Sequence, residues 1–526
     1  MTTLFETIFA ADRDSLTAVL FAGREITYAQ LRSETMRAAE VLNALDVQAG
    51  EPIAILLPDS PEFIASFLAI QLLGAIAVPI NMALSTTEQR LILDDCSARL
   101  AILDADTCST LLTNASDSLR CLSNVLVVSQ EPDIQLPAMP QLTSSLFWAA
   151  ERRPLPRDLL GRPAAVAAIE PSFILYTSGS TGAPKGAVHC QADVFYVNQT
   201  FGKEVLQLRE GDRLFSSSRL PFAYGLGNSF SFPLLNGVTT VLCREKPNAE
   251  VISHIFSQYQ PTIFLAVPVV FKLLLERHRV SPLDCSSLRL CVSAGEALPA
   301  ALGEQWQGTF GIPVLDGIGS TEMLHMWMSN HEGEVRYGSS GKLLKGYEAR
   351  LLDQSGQPTL PGEGGNLWVK GASAASGYWQ RPEATARTFV DGWVRTGDLY
   401  RRDANGFWYH LGRSDDCFKS SGQWVSPVEV EGILLRHEGV NATAVVEGFD
   451  EHGLPCACAF VVRSDVESDA AKVEEELRQL AREGLPRFKQ PRRYQFVNEL
   501  PYTATGKIQR FRLREQLRAK GIGSDS

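Results

Sequence analysis

Before Gly412 the chain repeats one pattern: a short apolar run, often β-branched, then a longer amphipathic stretch. Residues 52–57 read as a strand and 61–73 as the helix after it, and 75–79, 125–128, 238–242 and 262–267 continue the strands. Alternation of this kind favours α/β layers with largely parallel sheets. Residues 351–352 and 365–369 flank a Gly/Pro-rich turn, which predicts a small antiparallel β unit before residue 400.

The texture changes near Gly412. Helix (428–436), strand (442–446), strand (458–462), helix (471–482), strand (494–497) and a basic helix (509–518) follow one another. That is a compact α+β unit of ordinary domain size. The expected class is α/β: a large N-terminal domain, 1–412, of layered α/β subdomains with a small β unit, then a small α+β C-terminal domain, 413–526.

At 526 residues the chain is too long for one small domain. Hydrophobic residues at 45% and charged residues at 21% suit a folded chain. A net charge of −11 argues against sequence-independent nucleic-acid binding, which needs a Lys/Arg excess. Ten cysteines are too sparse for a disulfide scaffold, so reduced thiols and a cytoplasmic location are expected. Residues 1–10 carry no signal-peptide pattern. The apolar stretch 63–80 is broken by Gln71, Gly74 and Pro79, and reads as a buried helix running into a strand rather than a membrane span.

The strongest chemical signal is the run from Tyr176 through Thr177, Ser178, Gly179, Ser180, Thr181, Gly182, Ala183, Pro184 and Lys185 to Gly186, directly after the apolar Phe173-Ile174-Leu175. Glycines permit tight turns, and hydroxyls, amides and a lysine can wrap phosphate oxygens. It is not a Walker A loop, because Ala183-Pro184 precede the lysine and a glycine follows it. Thr321-Glu322 put a hydroxyl beside a carboxylate suited to phosphate and Mg²⁺, in a place where a helix cap is the plainer reading. Asp398 can accept ribose hydroxyls or simply close an Asx turn. Arg413 can donate to the same ribose or form a surface ion pair. Lys507, between Gly506 and Ile508, would ordinarily be solvated.

The loop at 176–186 resembles the phosphate loop of the adenylate-forming superfamily of acyl- and aryl-CoA synthetases, adenylation domains and luciferases. Gly317-Ile318-Gly319-Ser320-Thr321-Glu322, Thr396-Gly397-Asp398-Leu399, Gly412-Arg413-Ser414-Asp415-Asp416 and the segment 501–507 resemble its later motifs, in the family's order. The resemblance implies ATP, Mg²⁺ and coenzyme A as cofactor and cosubstrates. It makes Lys507, Lys185, Thr321 and Glu322 catalytic, with Glu322 on the metal. It gives the nucleotide to Thr177 through Gly182, to Ser293, Ala294, Gly295 and Glu296, to Asp316, Gly317, Ile318 and Gly319, and to Asp398 and Arg413. Asp415 is the implied hinge of a mobile C-terminal lid, and Lys507 the residue that serves adenylate formation only.

Within that family the wording is close to benzoate–CoA ligases. The segment from Pro221 to Asn228 holds no carboxylate for an amino acid's ammonium group. Ala223, Tyr224, Gly225, Phe232, Gly319, His325 and Met326 are implied to line a ring pocket, although any one aromatic could be core packing. Benzoate, a hydroxybenzoate and an aminobenzoate such as anthranilate all stay open. Ser421, Gly422, Lys489 and Arg492 are implied to hold CoA. A rival reading is an aryl-AMP ligase that loads a carrier protein's phosphopantetheine; another is a catalytically silent binding protein, against which intact Lys507, Glu322 and Asp398 argue. Monomer and homodimer are both compatible with the sequence.

Overall fold

A computed structural model describes residues 2–112, 119–129, 143–156, 168–177, 184–421, 423–450, 452–465, 469–502 and 508–519. The alternating pattern produces two large sheets. One runs Thr143–Leu146, Asn124–Val128, Leu100–Asp104, Pro52–Leu56, Ile76–Pro79, Pro171–Thr177 and Lys185–Cys190, parallel except for its last pair. The other carries Val314–Gly319, Leu290–Ser293, Ile263–Ala266, Arg213–Ser216, Thr239–Val241 and Thr17–Phe21 in parallel, with antiparallel strands at both edges.

The apolar stretch at 63–80 resolves as expected. Ser60 caps the helix Pro61–Leu72 by accepting from the Phe63 amide, with Pro61 at the first helical position. Gly74, at φ 74°, stops it and turns the chain into the strand Ile76–Pro79. The helix is buried on nearly every side, so its hydropathy is that of a core element. Each such Phe, Ile or Leu contributes roughly 1.5–3 kcal/mol by burial. No helix among the described residues is long and apolar enough to cross a membrane.

The small β unit is larger than expected. Glu348–Leu352 and Gly364–Lys370 pair antiparallel, and Trp393–Arg402 and Trp408–Arg413 extend the sheet past residue 400. After it comes a hairpin, Phe418–Ser420 with Gln423–Val425, which the sequence pattern did not suggest.

The smaller C-terminal domain centres on Val440–Phe449, Pro455–Arg463 and Arg493–Phe496. Period-two alternation decides its two faces. Ala457, Ala459 and Val461 pack with Val430, Leu434 and Leu477, from the helices Pro427–Leu434 and Ala470–Gly484. Cys456, Cys458 and Phe460 point the other way, onto Leu513 and Leu517 of the helix Arg510–Ala519. The Cys-Ala-Cys spacing is therefore one face of a strand, and all ten cysteines are free.

Candidate active site

The phosphate-loop stem is a strand pair that ends at Thr177 opposite Lys185. Ser178, Gly179, Ser180, Thr181 and Gly182 lie outside the described residues. Both sides of the stem are anchored. The Tyr176 hydroxyl donates to Asp95 Oδ2 at 2.7 Å, and Arg381 pairs with the same carboxylate. Gly186 is required where it stands, because a Cβ there would sit 2.5 Å from the Ile174 side chain. Trp379 N donates to the Gly186 carbonyl at 2.7 Å.

Glu322 comes from the turn after Val314–Gly319. Its Oε1 accepts the Tyr378 hydroxyl at 2.7 Å, and the Lys185 Nζ lies 5.6 Å from the centre of the same tyrosine ring. Burial and the Glu322 charge both push the Tyr378 hydroxyl upward, so it remains the proton donor. Thr321 is held through its backbone: its carbonyl lies 2.8 Å from His189 Nε2, while His189 Nδ1 faces Asp193 Oδ2 at 2.8 Å. Both partners of the buried ring are acceptors. Ser320 stands at the N-cap position of the short helical turn Thr321–Met323 with extended backbone, and its side chain makes no capping bond. Tyr378 and His189 carried no expectation from the sequence. The i,i+4 spacing of His189 and Asp193 was the available signal for one of them.

The chain then makes a tight γ-turn at Leu324, φ 65°, in which His325 N donates to the Met323 carbonyl at 2.8 Å. A buried leucine in this conformation costs on the order of 1–3 kcal/mol. The turn delivers His325 into a nest of rings. Phe232 meets it edge-on at 4.7 Å, Phe201 lies at 4.8 Å and Tyr224 at 5.6 Å. Gly227 makes room, since a Cβ there would sit 2.4 Å from His325 Cδ2. Burial drives the imidazole down to about 3, so the ring is neutral at pH 7. Its Nε2 faces Asn228 Oδ1 at 3.3 Å, and Asn228 Nδ2 faces Ser216 Oγ, so Nε2 carries the proton. Nδ1 is buried without a partner.

The structure thus brings Tyr224, Phe232 and His325 together with Phe201 and Gly227, while Ala223 and Met326 are the chain neighbours of Tyr224 and His325. The two proposed pocket glycines have another reason to be glycine. A Cβ on Gly319 would stand 2.6 Å from the His325 carbonyl oxygen, and one on Gly225 2.0 Å from that of Arg219. Close backbone approach by itself requires glycine at both positions.

Of the expected nucleotide residues, Asp316 to Gly319 lead into this turn, and Arg413 is near enough to Glu322 for the two charges to interact. Ser293 and Asp316 are register partners on adjacent strands, and Gly295 has φ 91°. Burial holds the Asp316 carboxyl well above the usual range; its Oδ2 accepts from Leu298 N and its Oδ1 has no partner. Asp398 pairs in register with Arg413 across two strands. Burial alone would raise its carboxyl, but His410 and Arg413 hold it below the usual value. Gly397 has φ 76°, a left-handed conformation that favours glycine.

Two of the residues implied to hold CoA are cations with carboxylate partners. Lys489 is paired with Glu429 at 2.5 Å and Arg492 with Asp450, so neither cation stands free. Ser421, φ 52°, is exposed at the hairpin tip, and Gly422 lies outside the described residues. Lys507 also lies outside them. The ends of its loop are joined by a Tyr502–Ile508 bridge and a Gln509 N to Pro501 O bond of 2.8 Å. The charge of Glu296 reaches Tyr502 and Arg510, which brings this loop's ends near the Ser293–Glu296 turn.

Residues 7–379 match the family model for AMP-binding enzymes, and 429–507 the AMP-binding enzyme C-terminal domain. The chain is 37% identical over 506 residues to a benzoate–CoA ligase of Thauera aromatica, covering 96% of this chain and 93% of that protein. The crystal structure of the anthranilate CoA ligase AuaEII with anthranoyl-AMP superposes with TM-score 0.89 at 36% identity, covering 99% and 98% of the two chains. A benzoate CoA ligase from Burkholderia xenovorans LB400 gives 0.83 at 35%, covering 98% and 100%.

Proposed function

Because the chain belongs to the AMP-binding enzyme family, we propose that the site assembled around the Thr321–His325 turn is where it works as an aryl-CoA ligase on benzoate or a benzoate with one small substituent. An aryl carboxylate oxygen attacks the α-phosphorus of ATP, pyrophosphate leaves, and aryl-AMP forms. The sulfur of CoA then bonds to the acyl carbon, and the acyl–oxygen bond to AMP breaks.

The observation that carries this reading is the ring nest. Phe201, Tyr224 and Phe232 pack around a neutral His325 that stands three residues after Glu322, an uncharged and largely apolar lining. It suits a flat ring and offers nothing to an ammonium group. The buried lone pair on His325 Nδ1 favours a ring bearing an N–H or O–H donor, as in an amino- or hydroxybenzoate. Leaving that acceptor unpaired costs about 1–3 kcal/mol.

Lys185 and the 178–182 loop bind the phosphates, Thr321 donates to the α-phosphate, and Asp398 with Arg413 holds the ribose. Lys507 offsets charge on the five-coordinate phosphorus. Among the described residues no cluster of three or more His, Cys, Asp or Glu side chains is placed to hold a metal. A divalent ion here would have Glu322 as its protein ligand and otherwise phosphate oxygens and water, a set that suits Mg²⁺. It would neutralise phosphate charge. Tyr378 keeps the Glu322 carboxylate oriented. The C-terminal domain turns about Asp415 between the two half-reactions, withdrawing Lys507.

Steady-state kinetics on benzoate, 2-aminobenzoate, 2-hydroxybenzoate, octanoate and phenylalanine, with free CoA and with a holo-carrier protein as acceptors, test this reading. A substituted benzoate with free CoA is expected to give the highest kcat/KM. Faster turnover of octanoate or phenylalanine than of every benzoate overturns the aryl assignment.

A further inference from the structure

The strand Lys185–Cys190 does more than carry Lys185. The segment 375–379 lies along it: Val188 N donates to the Gly377 carbonyl and Ser376 N to the Val188 carbonyl, both at 3.0 Å, and Tyr378 bridges to Ala187. That segment holds Glu322, through the Tyr378 hydroxyl on the carboxylate and the Ala375 amide on the Glu322 carbonyl at 2.8 Å. From the strand itself, His189 Nε2 reaches the Thr321 carbonyl at 2.8 Å. Thr321 and Glu322 are thus tied to the strand of Lys185 by an indirect route and by a direct one.

The direct route has one orientation. The His189 imidazole is buried and stacks on Phe173, its register partner, with ring centres 5.4 Å apart. Nδ1 faces Asp193 Oδ2 at 2.8 Å. The same Oδ2 accepts the Cys190 amide at 3.1 Å, and Asp193 Oδ1 accepts from the Cys190 thiol at 3.2 Å, so the carboxylate is fixed in turn. A carboxylate and a carbonyl only accept, so each ring nitrogen holds a proton and the Asp193 charge balances the ring.

We propose that His189, held by Asp193, is a positioning residue that keeps the Thr321–Glu322 turn in register with Lys185. The proposal rests on the reading of Lys185, Thr321 and Glu322 given above. Misplacing a reacting group by about 1 Å costs on the order of 100-fold in rate. Loss of the Nε2 donor therefore falls on adenylate formation, in which Lys185 and Glu322 act on the same triphosphate. Thioester formation begins after pyrophosphate has left and is spared.

Amide side chains separate the two ring nitrogens. In His189→Gln the amide nitrogen takes the place of Nε2 and keeps a donor to the Thr321 carbonyl. In His189→Asn it takes the place of Nδ1, keeps the bond to Asp193 and leaves the carbonyl without that donor. The test measures both half-reactions and thermal unfolding for these variants, Glu322→Gln and the parent. His189→Asn is expected to lower the rate constant of adenylate formation about 10- to 100-fold, and His189→Gln to recover part of that loss. The KM for the acid should stay within about 2-fold and thioester formation from supplied aryl-AMP within about 3-fold, the latter under ~0.7 kcal/mol of barrier. A histidine that only neutralises buried Asp193 gives the reverse order, because asparagine keeps that pair and glutamine does not. The reverse order, an unchanged adenylation rate in His189→Asn, or equal losses in both half-reactions overturns the proposal. If Glu322→Gln leaves adenylation intact, the reading of the turn fails and takes the proposal with it; a slow Glu322→Gln beside an unaffected His189→Asn strikes the proposal alone. Should either histidine variant fold poorly, Asp193→Asn carries the comparison. The Cys190 amide needs an acceptor where Oδ2 stands, so the asparagine keeps its oxygen there, the one proton of a neutral ring stays on Nδ1, and Nε2 no longer donates to Thr321. Adenylation should then fall as in His189→Asn, and an Asp193→Asn enzyme at the parent's rate overturns the proposal.

Discussion

The ring nest and the hinge face of the C-terminal domain are built from opposite materials. His325, Phe201 and Phe232 are buried, uncharged and locked by contacts between rings. Around Asp416, Lys489 and Arg492, nearly every functional side chain is charged and already paired. Packing holds one shape, because a close-packed interior yields little to small perturbations. Ion pairs near a surface are individually weak and exchange partners at small cost. From this difference we propose that the packed region chooses the acid and that the pairs of Lys489 and Arg492 exchange for the phosphates of CoA.

If that division holds, the largest single effect belongs to the charged side. Lys507→Ala should slow adenylate formation by on the order of 100- to 1,000-fold, the usual loss when one preorganised donor to a developing charge is removed. Thioester formation from supplied aryl-AMP should be nearly untouched. Assaying the half-reactions separately checks this, and equal losses would erase the contrast.

On the packed side, Ala223→Leu adds bulk to a residue that is 8% exposed at the ring slot. Overpacking costs roughly 1–3 kcal/mol, or about 5- to 150-fold in apparent affinity. The KM for the acid should rise and that for ATP should not. Gly319→Ala is the sharpening control. Its Cβ would strike the His325 and Met326 backbone, so it should damage ATP and acid binding together.

Asp415→Pro probes the boundary between the two regions. Fixing φ at about −65° should hinder the swing. Thioester formation should fall about tenfold further than pyrophosphate exchange, ~1.4 kcal/mol of barrier. Rates near the parent's for both would remove Asp415 from the hinge.

The sequence was most legible where chemistry is local. Alternating runs located the two large sheets, and hydroxyl- and glycine-rich segments located the phosphate stem and the Thr321–Glu322 turn. It was least legible where a partner comes from far along the chain. Tyr378 reaches Glu322 across 56 residues, and His189 reaches Thr321 across 132. No periodicity marks either contact. The glycines Gly225 and Gly319 are a related case, because the close backbone approach that requires glycine at each is visible only in the fold. The carboxylate partners of Lys489 and Arg492, Glu429 and Asp450, are likewise distant in sequence, and no local pattern marks those pairs.

The smallest effect at neutral pH, and the one that isolates the packed region, is the titration of His325. Burial lowers the folded imidazole to about 3, whereas an unfolded histidine titrates near ~6.5. Between these values the unfolded chain binds one proton more than the folded one at this site. Stability therefore rises with pH through the window, is complete above its upper edge, and is lost as pH falls below it. The slope approaches ~1.4 kcal/mol per pH unit inside the window. His325→Gln removes the titrating group while keeping a polar side chain. Urea midpoints measured from pH 4.5 to 8 should therefore fall less steeply in acid for the variant than for the parent. Above pH 7 the two profiles should run parallel, and the parent's KM for the acid should show no imidazole titration. A parent KM that titrates near pH 6.5 would mean that His325 meets water, and the ring nest would no longer be the rigid half of the comparison.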